Sequence, residues 1–199
     1  KKTTQPIKEK FLLSSYLEET NEGYAIAKIL SLKYLQFYKK RKNKKFISLM
    51  PANLYGEGDN FDLKSSHVLP ALVKKFILAK IRNQTSVEVW GSGMAKREFL
   101  HVKDLSSAIY FVLKKKLKYE FINIGGGEHY SIKTIAQMIK KITKYNGKII
   151  FNLKYPDGVK RRQLDSSIIK KLGWKPKISL KKGLVDYCEY YLNKVYPFE

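Results

Sequence analysis

Short apolar runs separated by longer amphipathic stretches set the rhythm of this chain. Lys45-Phe46-Ile47-Ser48-Leu49-Met50 is nearly continuous in apolar residues, as a strand buried on both faces is, and Pro51 closes it. Val87-Glu88-Val89-Trp90 alternates as a half-buried strand does, and Gly91-Ser92-Gly93 turns it. Residues 97–102, 121–124 and 148–151 predict three further strands. Between them, apolar positions three and four apart predict helices over about 23–42, 67–81, 103–115, 131–145, 165–172 and 180–195. Thr20 or Asn21 is a suitable cap for the first helix, Ser65 or Ser66 for the second, and Ser131 for the fourth. Pro70 falls in the first turn of the second helix, where proline is tolerated. Residues 1–20 read as loop with a short helix near 8–13, and Asn53-Leu54-Tyr55-Gly56-Glu57-Gly58-Asp59-Asn60 reads as a polar, glycine-punctuated loop. Strands alternating with helices predict an α/β fold with parallel pairing.

The first helix departs from simple amphipathicity. Ile26, Ile29, Leu30, Tyr34, Leu35, Phe37 and Tyr38 lie on more than one of its sides. So wide an apolar surface predicts burial against its own domain on one side and a partner subunit on another. The run from residue 39 to 45 is its solvated end.

Composition narrows the class. At 199 residues, 44% hydrophobic and 29% charged, the chain suits one large or two small soluble globular domains. No apolar run approaches the roughly 18 residues that span a bilayer, and no signal peptide opens the chain, so a soluble, cytoplasmic protein without a membrane partner is expected. The single cysteine, Cys188, excludes an internal disulfide framework and sits in an apolar helical pattern as a packing residue. The net charge of +23 first suggests nucleic acid. Yet only Arg41, Arg82, Arg97, Arg161 and Arg162 are arginines, leaving 35 of the 40 basic residues as scattered lysines. Base reading and bidentate phosphate contacts favour arginine, so no nucleic-acid partner is expected; a basic cleft for an anionic small molecule fits. No Cys/His/Asp cluster has metal-ligand spacing.

The candidate chemistry begins at Tyr24 and Lys28. Four residues apart, they share one face of the first helix. A phenol alone holds its proton far above neutral pH, but an ammonium one turn away favours the phenolate and makes the pair a usable proton donor and acceptor. In a chain with 14 tyrosines the same spacing also arises by chance. His67, at a helix start, is by itself either a capping group or an acid.

The motifs acquire more weight together. Tyr24-Ala25-Ile26-Ala27-Lys28, Met50-Pro51-Ala52-Asn53-Leu54-Tyr55-Gly56, Ser66-His67-Val68, Trp90-Gly91-Ser92-Gly93, Arg97-Glu98-Phe99-Leu100-His101-Val102-Lys103-Asp104 and Pro156-Asp157-Gly158 follow in this order. The chain thereby resembles the extended short-chain dehydrogenase/reductase family over nearly its whole length, and within it the GDP-4-keto-6-deoxymannose epimerase/reductases. The resemblance implies NADPH-dependent reduction at C4, with or without C3/C5 epimerisation, of a GDP-4-keto-6-deoxy sugar or a related GDP-4-keto heptose. Its alternatives are a nucleotide-sugar 4-epimerase or dehydratase of the same family, or a non-catalytic GDP-sugar-binding fragment.

The resemblance also implies roles. Tyr24, Lys28 and His67 are the catalytic residues: Tyr24 protonates the C4 oxygen, Lys28 holds the nicotinamide ribose, and His67 returns a proton to a carbon beside the ketone. Tyr24, Lys28, Pro51, Asn53, Leu54 and His67 meet the cofactor, NADPH or NADP. Asn53, Val68, Lys75, Trp90, Arg97, Asp157 and Arg162 meet the GDP-sugar. His101 orients its neighbours and His129 has no role. The Tyr24–Lys28 helix implies a homodimer. Residues 1–62, with further segments near 97–125, are expected to be the remainder of an NADP-binding Rossmann domain; residues 63–96 and 126–199 are mainly a substrate domain. No Gly-x-x-Gly-x-x-Gly turn lies near residue 1, Gly125-Gly126-Gly127 comes too late for it, and Ser14 and Ser15 stand too close to Tyr24 for the family's catalytic serine. The chain is therefore expected to correspond to the C-terminal two-thirds of the enzyme, and to be poorly stable alone because sheet edges are left unpaired.

Overall fold

The protein is described by a computed structural model covering residues 4–42 and 46–198. Six α-helices lie among the described residues: α1 (Glu22–Lys42), α2 (Val68–Ile81), α3 (Val102–Leu113), α4 (Ile132–Ile142), α5 (Ser167–Lys171) and α6 (Leu180–Tyr190). The strands are β1 (Ser48–Pro51), β2 (Asn53–Tyr55), β3 (Ser86–Trp90), β4 (Lys96–His101), β5 (Phe121–Ile124), β6 (His129–Ser131), β7 (Lys148–Asn152) and β8 (Arg161–Arg162). Three small sheets result. β1 pairs with β5, β3 pairs with β7, and β4 holds β2, β6 and β8 around it. All pairs are parallel except β4 with β6, which is antiparallel.

Two apolar clusters organise these sheets. The larger joins α2, α4 and α6 to β3, through fully buried Phe76, Ile135, Ile139, Leu184 and Tyr191 among others. α4 shows why: Ile132, Ile135, Ala136 and Ile139 form one buried stripe at helical spacing, and the Ser131 hydroxyl caps the helix by accepting from the Thr134 amide. The smaller cluster gathers Leu100, Ala108, Val112, Ile122 and Ile124 with Ile169 and Trp174, so α5 packs on β5. Cys188 lies inside the larger cluster, and burial pushes its thiol up to about 12, as suits a packing residue.

Several boundaries move from the expected places. Pro51 does end the apolar strand, as the last residue of β1 in register with Ile124, but the chain resumes pairing after the single residue Ala52. Asn53, Leu54 and Tyr55 are accordingly strand, not loop, because β4 offers them a ladder at Phe99, Leu100 and His101. α2 starts from His67 as its N-cap, without a side-chain bond. Ser65 is not the cap, since its hydroxyl serves the preceding loop by donating to Asp62, and the Ser66 hydroxyl is buried without a partner. α1 runs directly out of a 3-10 turn, Glu19–Asn21. His129, expected in a loop, lies in β6 opposite Glu98. The solvated run at 43–45 and the first three residues of the expected N-terminal loop lie outside the described residues.

α1 also packs less than its sequence suggested. Of its side chains only Leu32 is buried, while Tyr24, Ile26, Leu30, Tyr34 and Phe37 are exposed. It is held near its C-terminal half by Gln36, which donates to the Glu120 carboxylate at 2.8 Å, and by Tyr38 against Phe46.

Candidate functional site

Five of the expected substrate residues gather around the point where the loops after β3 and β7 meet the start of β4. Asp157 closes this junction. Its carboxylate accepts from the Ser92 amide at 2.7 Å and from the Ser92 hydroxyl at 2.6 Å. Gly91 has φ +77° and no Cβ, which leaves room for that carboxylate against the chain. Arg97 locks the other side, donating to the carbonyls of Lys96, Asp157 and Val159 at 2.9, 3.2 and 2.6 Å. Much of its guanidinium is thus spent on shaping the Pro156-Asp157-Gly158 turn.

Arg162 stands next to Arg97 because β8 adds to β4 in the register Arg97 to Arg162. Burial, and then the neighbouring Arg162, press against the charge of Arg97, which Asp157 and Glu18 only partly offset. Arg162 is exposed and its one described carboxylate neighbour, Glu18, lies 3.7 Å away. Two guanidiniums side by side on adjacent strands favour an anion between or above them.

Lys75 and Trp90 form the next part. The Lys75 ammonium lies 4.9 Å from the Trp90 ring centroid and donates to the Glu88 carbonyl at 3.1 Å. Burial lowers the Lys75 pKa, and Glu88 works against that shift. The Trp90 indole N–H donates to the Glu88 carboxylate at 3.1 Å, and Tyr155 stacks on the indole with centroids 4.3 Å apart. Val68 lies seven residues before Lys75, two turns along the same face of α2, and His67 is the exposed N-cap of that helix.

The strand ends supply a second group. Asn53, in β2, donates to the Glu98 carbonyl at 2.8 Å, which ties it to β4; Leu54 is half-buried beside it and Pro51 is exposed at the end of β1. His101 caps α3 by accepting from the Lys103 amide at 3.2 Å, so it does orient its neighbours. Burial, and then Lys103, lower its pKa, so the ring stays the neutral acceptor that the cap requires. Tyr24 and Lys28 make a third group on exposed α1, where the ammonium lies 5.4 Å from the phenol ring centroid. The described contacts bring Lys75, Trp90, Arg97, Asp157 and Arg162 together; they do not join Tyr24 and Lys28 to that cluster.

Three supporting residues escaped the sequence reading. Glu98 is 2% exposed, yet its carboxylate accepts from the Gly127 amide at 2.9 Å and the Leu164 amide at 2.7 Å. A lone carboxylate inside an apolar strand was the available signal, since such a charge must be hydrogen-bonded. Ser92 and Tyr155 carry only turn signals in the sequence, Ser92 between two glycines and Tyr155 at the start of Tyr155-Pro156-Asp157-Gly158.

The Asp157 latch has a pH signature. The bonds from the Ser92 hydroxyl and then backbone amides hold its carboxyl below the ordinary value, against opposing desolvation. A depressed folded pKa means that the latch contributes fully above the unfolded value, about 3.9, and is lost as pH falls through the folded one. Ser92→Ala is expected to raise the Asp157 midpoint in a carboxyl NMR titration; an unchanged midpoint would show that Ser92 does not hold it.

The sequence pattern of the NAD dependent epimerase/dehydratase family matches residues 1–125. A probable GDP-L-fucose synthase 1 of Oryza sativa subsp. japonica is 46% identical over 191 residues, covering 96% of this chain and 58% of the relative. The solved structure of MlghC, a GDP-mannoheptose C4 reductase from Campylobacter jejuni with NADP bound, is 36% identical with a TM-score of 0.82, covering 96% of this chain and 66% of that one. A GDP-L-fucose synthetase from Naegleria fowleri bound to NADP is 26% identical with a TM-score of 0.90, covering 99% of this chain and 63% of that one. The chain spans about three-fifths of the length of the curated relatives it matches.

Proposed function

Because the chain belongs to the NAD dependent epimerase/dehydratase family, we propose that it forms the substrate-binding and proton-transfer part of an NADPH-dependent reductase of GDP-4-keto sugars, of the GDP-L-fucose synthase kind. The observation that carries this reading is the Arg97–Arg162 pair on adjacent strands together with Lys75 at the Trp90 ring. Cations next to aromatic faces are what a nucleoside diphosphate demands, and the relatives' names refer to GDP-linked sugars.

The described residues suit the nicotinamide end of the cofactor. Tyr24 and Lys28 face solvent side by side, and Pro51 and Leu54 offer an apolar strand edge near Asn53. When bound, NADPH supplies the hydride to the C4 carbon of the sugar. Tyr24 gives the proton to the C4 oxygen, Lys28 holds the nicotinamide ribose, and Asn53 orients the sugar. His67 returns a proton to a carbon beside the ketone where epimerisation accompanies reduction. Arg97 and Arg162 carry the diphosphate charge, with Lys75 and Val68 along the same side. The smaller apolar cluster supports a cofactor-side unit that includes α5, and the larger cluster a substrate-side unit. Exposed Tyr24, Ile26, Leu30, Tyr34 and Phe37 support α1 as the homodimer surface.

The roles of His67 and Tyr24 separate experimentally. In a full-length enzyme containing this chain, His67→Ala is expected to lower solvent-deuterium incorporation at C3 and C5 by about 100-fold or more. C4 reduction of a sugar that needs no epimerisation is expected to continue. Equal loss of both reactions would remove His67 from the epimerisation step, and NADPH-neutral turnover of the sugar would point to a 4-epimerase instead.

A further inference from the structure

The aromatic pair beside the guanidiniums is more than a lining. One face of the Trp90 indole is covered by the nearly parallel Tyr155 ring, at 4.3 Å and 10°. Lys75 places its ammonium 4.9 Å from the centroid of the same indole. Lys75 and Tyr155 thus both bear on the indole of Trp90, which is itself 52% exposed; Tyr155, which covers one of its faces, is 40% exposed.

We propose that the outer face of Tyr155 is the platform on which the nucleobase of a purine nucleoside diphosphate stacks. This rests on the GDP-sugar reading and names a further binding residue for it. Both rings are fixed before any ligand arrives. Glu88 takes the indole N–H on one carboxylate oxygen and the Asn152 amide on the other, at 3.1 and 3.0 Å. Tyr155 donates its own backbone N–H to the Asn152 carbonyl at 3.3 Å. Two residues on, Asp157 is latched to Ser92 and to Arg97. One short loop therefore joins an aromatic platform to the guanidiniums, as base and diphosphate are joined in the ligand. A platform that is already ordered loses little side-chain freedom on binding. Stacking on an aromatic ring is available to every base and grows with the overlapping area, so it favours purine over pyrimidine without choosing guanine from adenine.

Calorimetric titration of a full-length enzyme containing this chain with GDP, UDP and inorganic pyrophosphate tests the assignment. Tyr155→Leu is expected to weaken GDP binding about tenfold, to weaken UDP binding less, and to leave pyrophosphate binding unchanged. Tyr155→Phe is expected to retain GDP affinity. If the unaltered enzyme binds GDP and Tyr155→Leu binds it equally, the platform is wrong and the GDP-sugar reading stands. Parallel loss of GDP and pyrophosphate in Tyr155→Leu, with pyrophosphate also weakened in Tyr155→Phe, would show a disturbed loop and likewise overturn it. If the unaltered enzyme binds neither ligand, both proposals fall.

Discussion

Tyr24→Phe is expected to lower the turnover of GDP-4-keto-sugar reduction by about 100- to 10,000-fold in a full-length enzyme containing this chain, the range ascribed to a single general acid. The substitution removes one oxygen from an exposed side chain of α1. It removes no apolar area and breaks no described hydrogen bond, so folding and GDP affinity should stay as they were. The Lys28 ammonium keeps a ring to lie over, now at a phenyl group. A fall in kcat with the KM for the GDP-sugar preserved is the signature of a group that acts only in the proton-transfer step. A kcat within about threefold of the unaltered enzyme would exclude Tyr24 as the acid.

The second large effect concerns stability. Glu98→Ala is expected to destabilise the chain by about 3–5 kcal/mol, because two backbone amides lose a charged acceptor in a site that water does not reach. Those amides belong to Gly127, in the turn after β5, and to Leu164, two residues beyond Arg162. The carboxylate thus pins β4 to the glycine turn and to the segment that follows β8. The same segment is held from its other side, where Asp165 donates its amide to the Ile7 carbonyl at 2.8 Å and the Gln163 amide donates to the Gln5 side chain at 2.9 Å. Glu98→Gln keeps one acceptor and is expected to cost about half as much. Urea unfolding of the three proteins measures both values, and a loss below about 1 kcal/mol for Glu98→Ala would show that the amides find other partners.

Much of the fold was legible because its elements carry strong local signals. The stripe Ile132, Ile135, Ala136 and Ile139 predicts a helix with one buried side, and the Ser131 cap fixes where it begins. β5 and β7 read directly from their apolar runs. β2 was missed because Asn53-Leu54-Tyr55 carries an asparagine and precedes glycine, as loops do; only pairing with β4 makes it a strand. Such long-range pairing leaves no mark on three residues. The wide apolar surface of α1 predicts burial against its own domain and a partner subunit, yet within the chain only Leu32 of this helix is buried. In the folded chain most of it faces outward.

The site divides in the same way. Spacing puts Tyr24 and Lys28 on one helix face, but in a chain with 14 tyrosines only the accompanying motifs single the pair out. Arg97, Asp157 and Arg162 are distant in sequence, and only the addition of β8 to β4 gathers them. The motif resemblance found these three residues, yet not how Arg97 works. Its donors to Lys96, Asp157 and Val159 make it the clasp of the loop as well as a charge. Tyr155 was invisible because a tyrosine before Pro156 has no distinguishing pattern; its value comes from the indole beneath it.

The central claim is hydride delivery to C4 of a GDP-linked 4-keto sugar. Its most direct measurement supplies a full-length enzyme containing this chain with NADPH deuterated at the transferable position and with GDP-4-keto-6-deoxymannose, then locates the label by NMR. The expected result is one deuterium at C4 of a GDP-deoxysugar for each NADPH consumed. A product with no deuterium at C4, or sugar turnover without net NADPH oxidation, would contradict it.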